Sequence, residues 1–340
     1  MAAPAHILVF RFSALGDVAM SVPVIRLLLQ QYPALEITFV SNPFMKPLFE
    51  NIPRLHFYGA DTKKEFHGLR GLHRLSRQIK TAIPYDAIAD LHDVVRTKAL
   101  RFFLIGKPAA VIDKGRKEKK ELTRPVNKIL RPLKTTFQRY ADVFEKLGFP
   151  VSLDTTTSAT SIVTKPTVYA TDIIIGIAPF AKHQPKMYPL EKLKEVVAML
   201  TGRPGIKIIL FGSKDEALLL APWETEFAGV TSLAGKVSFS EELQVISTLH
   251  CMVSMDSANM HLASMFSVPV VSIWGGTHPY LGFYGWGQPM ENAVQTDLPC
   301  RPSSVFGNRE CPVHGAKGCM QEITPLMIYD KIIEVISKGA

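Results

Sequence analysis

The sequence predicts two doubly wound α/β domains, on three observations. Strand-like apolar runs alternate with helix-period segments along nearly the whole chain. The alternation starts afresh at Asp172, after a stretch of small polar residues. And 340 residues with 47% hydrophobic content suffice for two cores.

His6 to Phe12 has a buried-strand pattern, Ile-Leu-Val-Phe running into Arg11 and Phe12. Ser13-Ala-Leu-Gly-Asp17 reads as a tight turn, after which Val18, Val22, Ile25 and Leu29 recur at helical spacing, and Ile37 to Val40 is the next strand. Strand, glycine-containing loop, helix and strand together open a parallel sheet. The loop has one glycine and no G-x-G-x-x-G, which counts against a nicotinamide-dependent oxidoreductase. Tyr85 to His92 is a further strand with a polar tip, and Arg96 begins a helix. Asp90 and His92 fall near the carboxyl end of that strand, where ligands of open α/β sheets gather; Asp90 reads as structural. Phe137 to Leu147 is a helix closing the first domain, and Asp154 to Pro166 is the linker candidate, the alternative being a short strand. The expected boundaries are 1–160 and 168–325, with a C-terminal helix over 326–340.

The second half runs likewise. Asp172 to Ala178 is a buried strand, Lys182 to Lys186 a polar loop, and Leu190 to Leu200 a helix introduced by Pro189. Lys207 to Phe211 is a strand leading into Gly212-Ser-Lys-Asp-Glu216, and Thr231 to Leu233 is another. Ser240 is expected to cap a helix over Glu241 to Leu249, and Cys251 to Ser254 is the next strand. Asp256, Ser257 and Asn259 then precede an apolar helical run, Met260, Leu262, Ala263, Met265 and Phe266, which Pro269 separates from the strand Val270 to Ile273. Asp256 or Ser257 can cap that helix, whose first-turn amides and positive dipole end favour an anion such as a diphosphate. His261 could add a hydrogen bond. Thr277 to Gly287 is a glycine and aromatic loop expected to wall a cleft, and Thr324 and Pro325 open a last helix, Met327 to Ser337.

Charge is unevenly placed. Residues 63–139 hold 20 Lys or Arg against 7 Asp or Glu, a local +13 within a chain total of +9, so the remainder sums to −4. An acidic partner for this half is implied: nucleic acid, an anionic membrane surface or a phosphorylated acceptor. No aromatic-interleaved RNA-binding signature accompanies it, so nucleic acid is disfavoured. The run Lys114 to Lys120, with Lys63, Lys64 and Arg124, is either solvated surface or acceptor-facing. No run of about 18 apolar residues suggests a spanning helix, and no secretory leader is read at the N-terminus. A cytoplasmic protein with reduced thiols is expected. Cys300, Cys311 and Cys319 with His314 could in principle form a Cys3His zinc site, but the paired C-x-x-C knuckle is missing, so a loop held by packing is expected.

Asp-Ser-Ala-Asn-Met-His-Leu-Ala, from Asp256, followed by Pro-Val-Val-Ser-Ile-Trp-Gly-Gly-Thr-His-Pro, resembles the nucleotide-sugar motif D-[ST]-G-x-M-H-x-A of the ADP-heptose:lipopolysaccharide heptosyltransferase family. Ala258 stands where that family prefers glycine, which narrows the backbone's approach to the phosphates and leaves the donor sugar open. Arg-Phe-Ser-Ala-Leu-Gly-Asp, ending at Asp17, is similar to the family's R-x-[ST]-x-[LI]-G-D, and the strand from Tyr85 to its yDxxiDL.

The resemblance spans nearly the whole chain and implies a GT-B fold, two Rossmann-like domains facing a central cleft. It also implies an inverting glycosyltransferase moving heptose from ADP-heptose onto a lipopolysaccharide-core or other cell-envelope glycan. Asp17 would be the general base on the acceptor hydroxyl, the alternative being a helix cap with Gly16 serving the turn. Lys186, before Tyr188 and Pro189, would neutralise the donor diphosphate, against an ordinary exposed lysine. Glu216 would approach the ribose or base, against a first-turn helix carboxylate. Asp256, Ser257, Ala258 and His261 complete the donor group, with backbone-only contact at Ala178 to Ala181; Lys63, Lys64 and Arg124 face the acceptor. No metal or cofactor is expected, the nucleotide sugar being a substrate. The partners are that donor and an anionic lipid-linked glycan, with room for peripheral contact at the cytoplasmic face of the inner membrane and no nucleic acid. A non-catalytic nucleotide-binding protein of the same fold, or a transferase using another nucleotide sugar, are the alternatives.

Overall fold

The structure, a computed structural model, describes residues 5–154, 172–315 and 318–338. Two sheets organise it, each wholly parallel. The first contains β1 (His6–Phe10), β2 (Glu36–Ser41), β3 (Leu55–Gly59), β4 (Ala87–Asp90) and β5 (Ala109–Val111), in the order β3-β2-β1-β4-β5. The second contains β6 (Ile173–Ala178), β7 (Ile206–Leu210), β8 (Val230–Ser232), β9 (Cys251–Met255), β10 (Val270–Ile273) and β11 (Ala293–Val294), in the order β11-β10-β9-β6-β7-β8. In each sheet the chain starts at the centre, winds to one edge, returns and winds to the other, as in doubly wound folds. The strand order therefore reverses between β1 and β4, where Phe10 pairs with Asp90, and between β6 and β9, where Ala178 pairs with Ser254.

Central strands such as β1 are buried on both faces, which is why they read as unbroken apolar runs. Helices supply the cover. In the first unit, α1 (Leu15–Gln31), α2 (Gly68–Ala82), α3 (Val95–Phe103) and α5 (Thr136–Glu145) flank the sheet, and Leu72, Leu75, Ile79 and Leu100 pack with Leu8, Phe10 and Ile88. In the second, α6 (Leu190–Thr201), α7 (Ala217–Glu226), α8 (Phe239–Thr248), α9 (Ala258–Met265) and α10 (Pro325–Lys338) do the same. Ile328, Ile332 and Val335 of α10 are buried in the same core as Leu193, Val196 and Val197 of α6. The C-terminal helix is thus integral to the second core.

Contacts divide the chain into two units, the described residues of Met1–Lys114 with Thr136–Ser158, and those of Gly115–Thr135 with Ala159–Ala340. This differs from the expected boundaries because residues 115–135 pack with the second unit. They include α4 (Arg116–Leu122), and Leu122 and Leu133 form a small core with Leu281. The Leu133 amide donates to the Tyr280 carbonyl at 2.9 Å, and the buried Lys119 ammonium lies 4.1 Å from the Phe283 ring centre. The basic run is therefore partly a packed helix, and the glycine and aromatic loop after β10 is its platform.

Other differences are local. Helix α1 begins at Leu15, so Gly16 and Asp17 are its second and third residues and not part of a turn. The cap of α8 is Ser238, whose Oγ accepts from the Glu241 amide while Glu241 returns a carboxylate to the Ser238 amide; Ser240 lies inside the helix. The strands β3, β5 and β11 and the helix α2 have no counterpart among the expected elements. The linker over Asp154 to Pro166 lies, beyond Asp154, outside the described residues.

Candidate active site

Both switch points carry the polar residues singled out in the sequence, which is where open α/β sheets hold ligands. At the first, the chain leaves β1 through Arg11 and enters α1. Asp17, one turn into the helix, accepts from the Ala14 amide at 3.2 Å, so it does serve as a cap of the helix start. The same oxygen, Oδ2, is 2.7 Å from a guanidinium nitrogen of Arg11. Arg11 is 7% exposed and also donates to the Leu91 carbonyl at 2.7 Å. Burial opposes its charge, the Asp17 carboxylate favours it by charge and by hydrogen bond, and the pKa of Arg11 is raised. Tyr140, on α5, donates its hydroxyl to the Asp17 carbonyl at 3.1 Å, and burial keeps that hydroxyl protonated.

The end of β4 supports this group from the side. Asp90 is fully buried and accepts from the amides of His92 and Asp93, with Arg101 Nε 2.9 Å from its other oxygen. It shapes the turn. His92 accepts from the Phe12 amide through Nδ1 at 3.3 Å, and burial, then Arg11 and Lys114, lower its pKa to about 3. A ring that accepts a hydrogen bond there and is flanked by cations stays neutral.

At the second switch point, Lys186 ends a short 3-10 turn (Gln184–Lys186) after β6, and Asp256 follows β9. Lys186 Nζ lies 2.8 Å from Asp256 Oδ2, with side-chain exposures of 16% and 6%. The same oxygen accepts from the hydroxyl of the buried Thr277 at 2.8 Å. Asp256 therefore does not cap α9. The helix begins after Ser257, whose hydroxyl is 3.1 Å from that of Ser254, so neither expected cap engages the helix amides. Ala258 is the first residue of α9 and His261 lies one turn in, 8% exposed.

Lys186 is held from several sides. Tyr188 is buried and its hydroxyl donates to the Ile323 carbonyl at 3.0 Å, anchoring the segment behind Lys186 in the core. The Pro185 carbonyl accepts from the Gly276 amide at 2.9 Å. A Cβ on Gly275 would stand 2.6 Å from Met320 Cγ and 3.0 Å from the Pro185 carbonyl oxygen, so only glycine fits where this loop crosses. Arg301, 3% exposed, donates to the carbonyls of Gly275, Thr277 and Thr296 and so fixes the Thr277 loop from below. Burial, with Lys182 and Lys186, lowers the His183 pKa, a sign of positive potential at this loop.

The remaining candidates fall elsewhere. Glu216, half-buried after β7, accepts from the Ser213 amide at 2.7 Å through Oε2. Lys63 and Lys64 are exposed, their amides bound by Asp61 in the turn after β3. Arg124 is exposed but belongs to the other unit. Sequence reasoning missed the support given by Arg11, Tyr140, Thr277 and Arg301. Arg11 and Thr277 lie inside the quoted motif segments and were within reach; Tyr140 and Arg301 carry no local signal.

A family model, Glycosyltransferase family 9 (heptosyltransferase), matches residues 72–314. The lipooligosaccharide heptosyltransferase 2 of Haemophilus influenzae is 25% identical, the match covering 98% of this chain and 100% of that protein. Among solved structures, a family 9 glycosyl transferase from Veillonella parvula superposes with a TM-score of 0.73 at 18% identity over 98% of both chains. Escherichia coli heptosyltransferase WaaC with ADP-2-deoxy-2-fluoro heptose gives 0.67 at 18% identity, over 98% of this chain and all of that one. These likenesses show the GT-B type of fold. With most of its length matched by the family model, the chain belongs to glycosyltransferase family 9, the heptosyltransferases.

Proposed function

We propose that this enzyme transfers a heptose from ADP-heptose to a lipopolysaccharide-core sugar with inversion. The observation that carries the reading is the largely buried Lys186 ammonium, held on Asp256 beside the uncapped start of α9. An ammonium has three donors, so Lys186 can keep Asp256 and still bind a diphosphate oxygen. The first-turn amides and His261 add donors to the same anion. Their task is to stabilise the departing ADP, a charge that develops only as the glycosidic bond breaks. Transfer then requires no added divalent ion. Glu216 reaches the ribose through Oε1, its other oxygen being engaged in the turn. The names of the relatives, heptosyltransferases of lipopolysaccharide and lipooligosaccharide, support the sugar and the acceptor class.

Asp17 takes the proton from the acceptor hydroxyl, whose oxygen attacks the anomeric carbon opposite the leaving ADP. Its carboxylate is 32% exposed, so a hydroxyl can reach it. Arg11 and the helix start both favour the ionised form and lower its basicity, which suits an oxocarbenium-like transition state with late proton transfer. His92 already accepts from the Phe12 amide through Nδ1, which occupies that ring nitrogen.

The acceptor is lipid-linked, and the reading places the enzyme in the cytoplasm with contact at the membrane face. No helix among the described residues is long and apolar enough to cross a membrane. The exposed face of α2 carries Arg70, Arg74, Arg77 and Lys80, and Phe102 and Ile105 at the end of the neighbouring α3 are 71% and 79% exposed. Such a basic and apolar surface suits an anionic headgroup layer.

Calorimetric titration of the wild type and Lys186→Met with ADP, UDP and GDP tests the donor site. ADP should bind best, and loss of the ammonium should weaken it about 10- to 100-fold, as expected for a charge-assisted contact of about 1.5–3 kcal/mol. Equal ADP affinity in the variant would remove Lys186 from the site, and preference for UDP or GDP would change the donor.

A further inference from the structure

After β11, the side chains of Cys300, Cys311, His314 and Cys319 converge so that one ligand atom from each lies within 4.8 Å of all the others. Cys300 Sγ is 3.4 Å from Cys319 Sγ and 3.5 Å from His314 Nδ1. Cys311 Sγ is 3.4 Å from His314 Nδ1 and 3.9 Å from Cys319 Sγ, and Cys319 Sγ is 3.8 Å from His314 Nδ1. These sulfurs stand far beyond the disulfide bond length of about 2.05 Å. They match the edges of a coordination tetrahedron. Metal–sulfur bonds of about 2.3 Å put sulfurs about 3.8 Å apart, and a nitrogen at about 2.0 Å shortens its edges to about 3.5 Å.

The surroundings suit an ion as well. Cys311 and His314 form a tight turn in which the His314 amide donates to Cys311 Sγ at 3.4 Å. Cys311 and Cys319 are buried, while His314 is half-exposed at the rim. Lys128 donates to the carbonyls of Pro299 and Pro302, on either side of Cys300, at 3.0 and 3.1 Å. A divalent ion with three thiolates and a neutral imidazole carries one net negative charge, and Lys128 is the cation beside it.

We infer that Cys300, Cys311, His314 and Cys319 bind one divalent transition metal, zinc or iron, in a closed tetrahedral site. With all four positions filled by protein the ion is structural, and it takes no part in the transfer step. It ties the neighbours of its ligands to the donor half-site. Arg301 follows Cys300 and holds the carbonyls of Gly275 and Thr277; Met320 follows Cys319 and packs on Gly275. Thr277 in turn bonds Asp256. This last consequence rests on the donor-site reading, whereas the metal site does not.

The test is elemental analysis of the full chain purified without chelator. About one equivalent of zinc or iron per chain is expected, retained in Cys251→Ala and lost in Cys311→Ser and Cys319→Ser. Because those serine variants could fail to fold, cobalt(II) is also added to the metal-stripped wild type, where intense tetrahedral d–d bands and thiolate-to-metal charge transfer are expected. Absence of stoichiometric metal together with a weak cobalt spectrum lacking thiolate charge transfer overturns the site, as does a disulfide among these cysteines found by mass mapping. ADP titration of loaded and stripped protein separates the two claims. Tighter binding by the loaded form, about tenfold, supports the positioning role, and equal affinity overturns it while leaving the metal standing. ADP binding by neither form counts against the donor reading.

Discussion

His92 shows how one side chain ties the first switch point to pH. Its ring accepts from the Phe12 amide, and protonating it would put a cation next to Arg11 and Lys114 in a buried setting. The folded pKa, about 3, lies below the ordinary histidine value, so below pH ~6.5 the unfolded chain binds the proton that the folded chain refuses. The stabilising contribution is complete above that value and is lost as pH falls towards 3. In urea melts, stability should therefore drop by about 1.4 kcal/mol per pH unit from this residue alone between pH ~6 and ~4. His92→Asn, whose amide oxygen can still accept from Phe12, should flatten the slope by that amount. An unchanged slope would show that His92 is already protonated in the folded state. At this scale the sequence was most informative inside its motifs: Asp17, Lys186 and Asp256 are each next to a switch point, as their loops implied. Their partners were harder to see, because Tyr140 and Arg301 act from segments distant in sequence.

Helix termini show what local pattern decides. Two serines precede Glu241, and only Ser238 stands three residues ahead of it, the spacing at which hydroxyl and carboxylate can each satisfy the other's amide. Ser238→Ala should therefore lower stability by about 1 kcal/mol, whereas Ser240→Ala should change it by a few tenths at most. A larger loss at Ser240 in thermal melts would contradict the observed cap. The start of α9 was misread for the opposite reason. Asp256 and Ser257 are good capping types, but Asp256 is taken by Lys186 and Thr277, a tertiary demand that local propensity does not contain. The apolar spacing of α2, Leu72, Leu75 and Ile79, is real, yet it is hard to see among so many basic residues. The short strands β3, β5 and β11 offer too few residues for a period to declare itself.

Across the whole molecule, the doubled α/β alternation was legible because central strands such as β1 are apolar throughout and covering helices such as α6 keep their period. The crossing of residues 115–135 to the second unit was not. It depends on contacts such as Leu133 with Tyr280 and the close approach of Gly282 to Lys134, between positions far apart in the chain. The cysteine cluster follows the same rule. Its ligands lack the paired knuckle spacing, and the fold, not the local sequence, gathers them. A transferase account places the acceptor base and the donor site on different units of one chain, so the most direct test joins them in a single turnover measurement. Wild type and Asp17→Asn are incubated with ADP-heptose and a heptose-deficient lipopolysaccharide core, and both ADP release and the anomeric configuration of the product are read. The account predicts acceptor-dependent ADP release with inversion, slowed about 10²- to 10⁴-fold in the folded fraction of the variant. Undiminished turnover in Asp17→Asn, or a product with retained configuration, would contradict it.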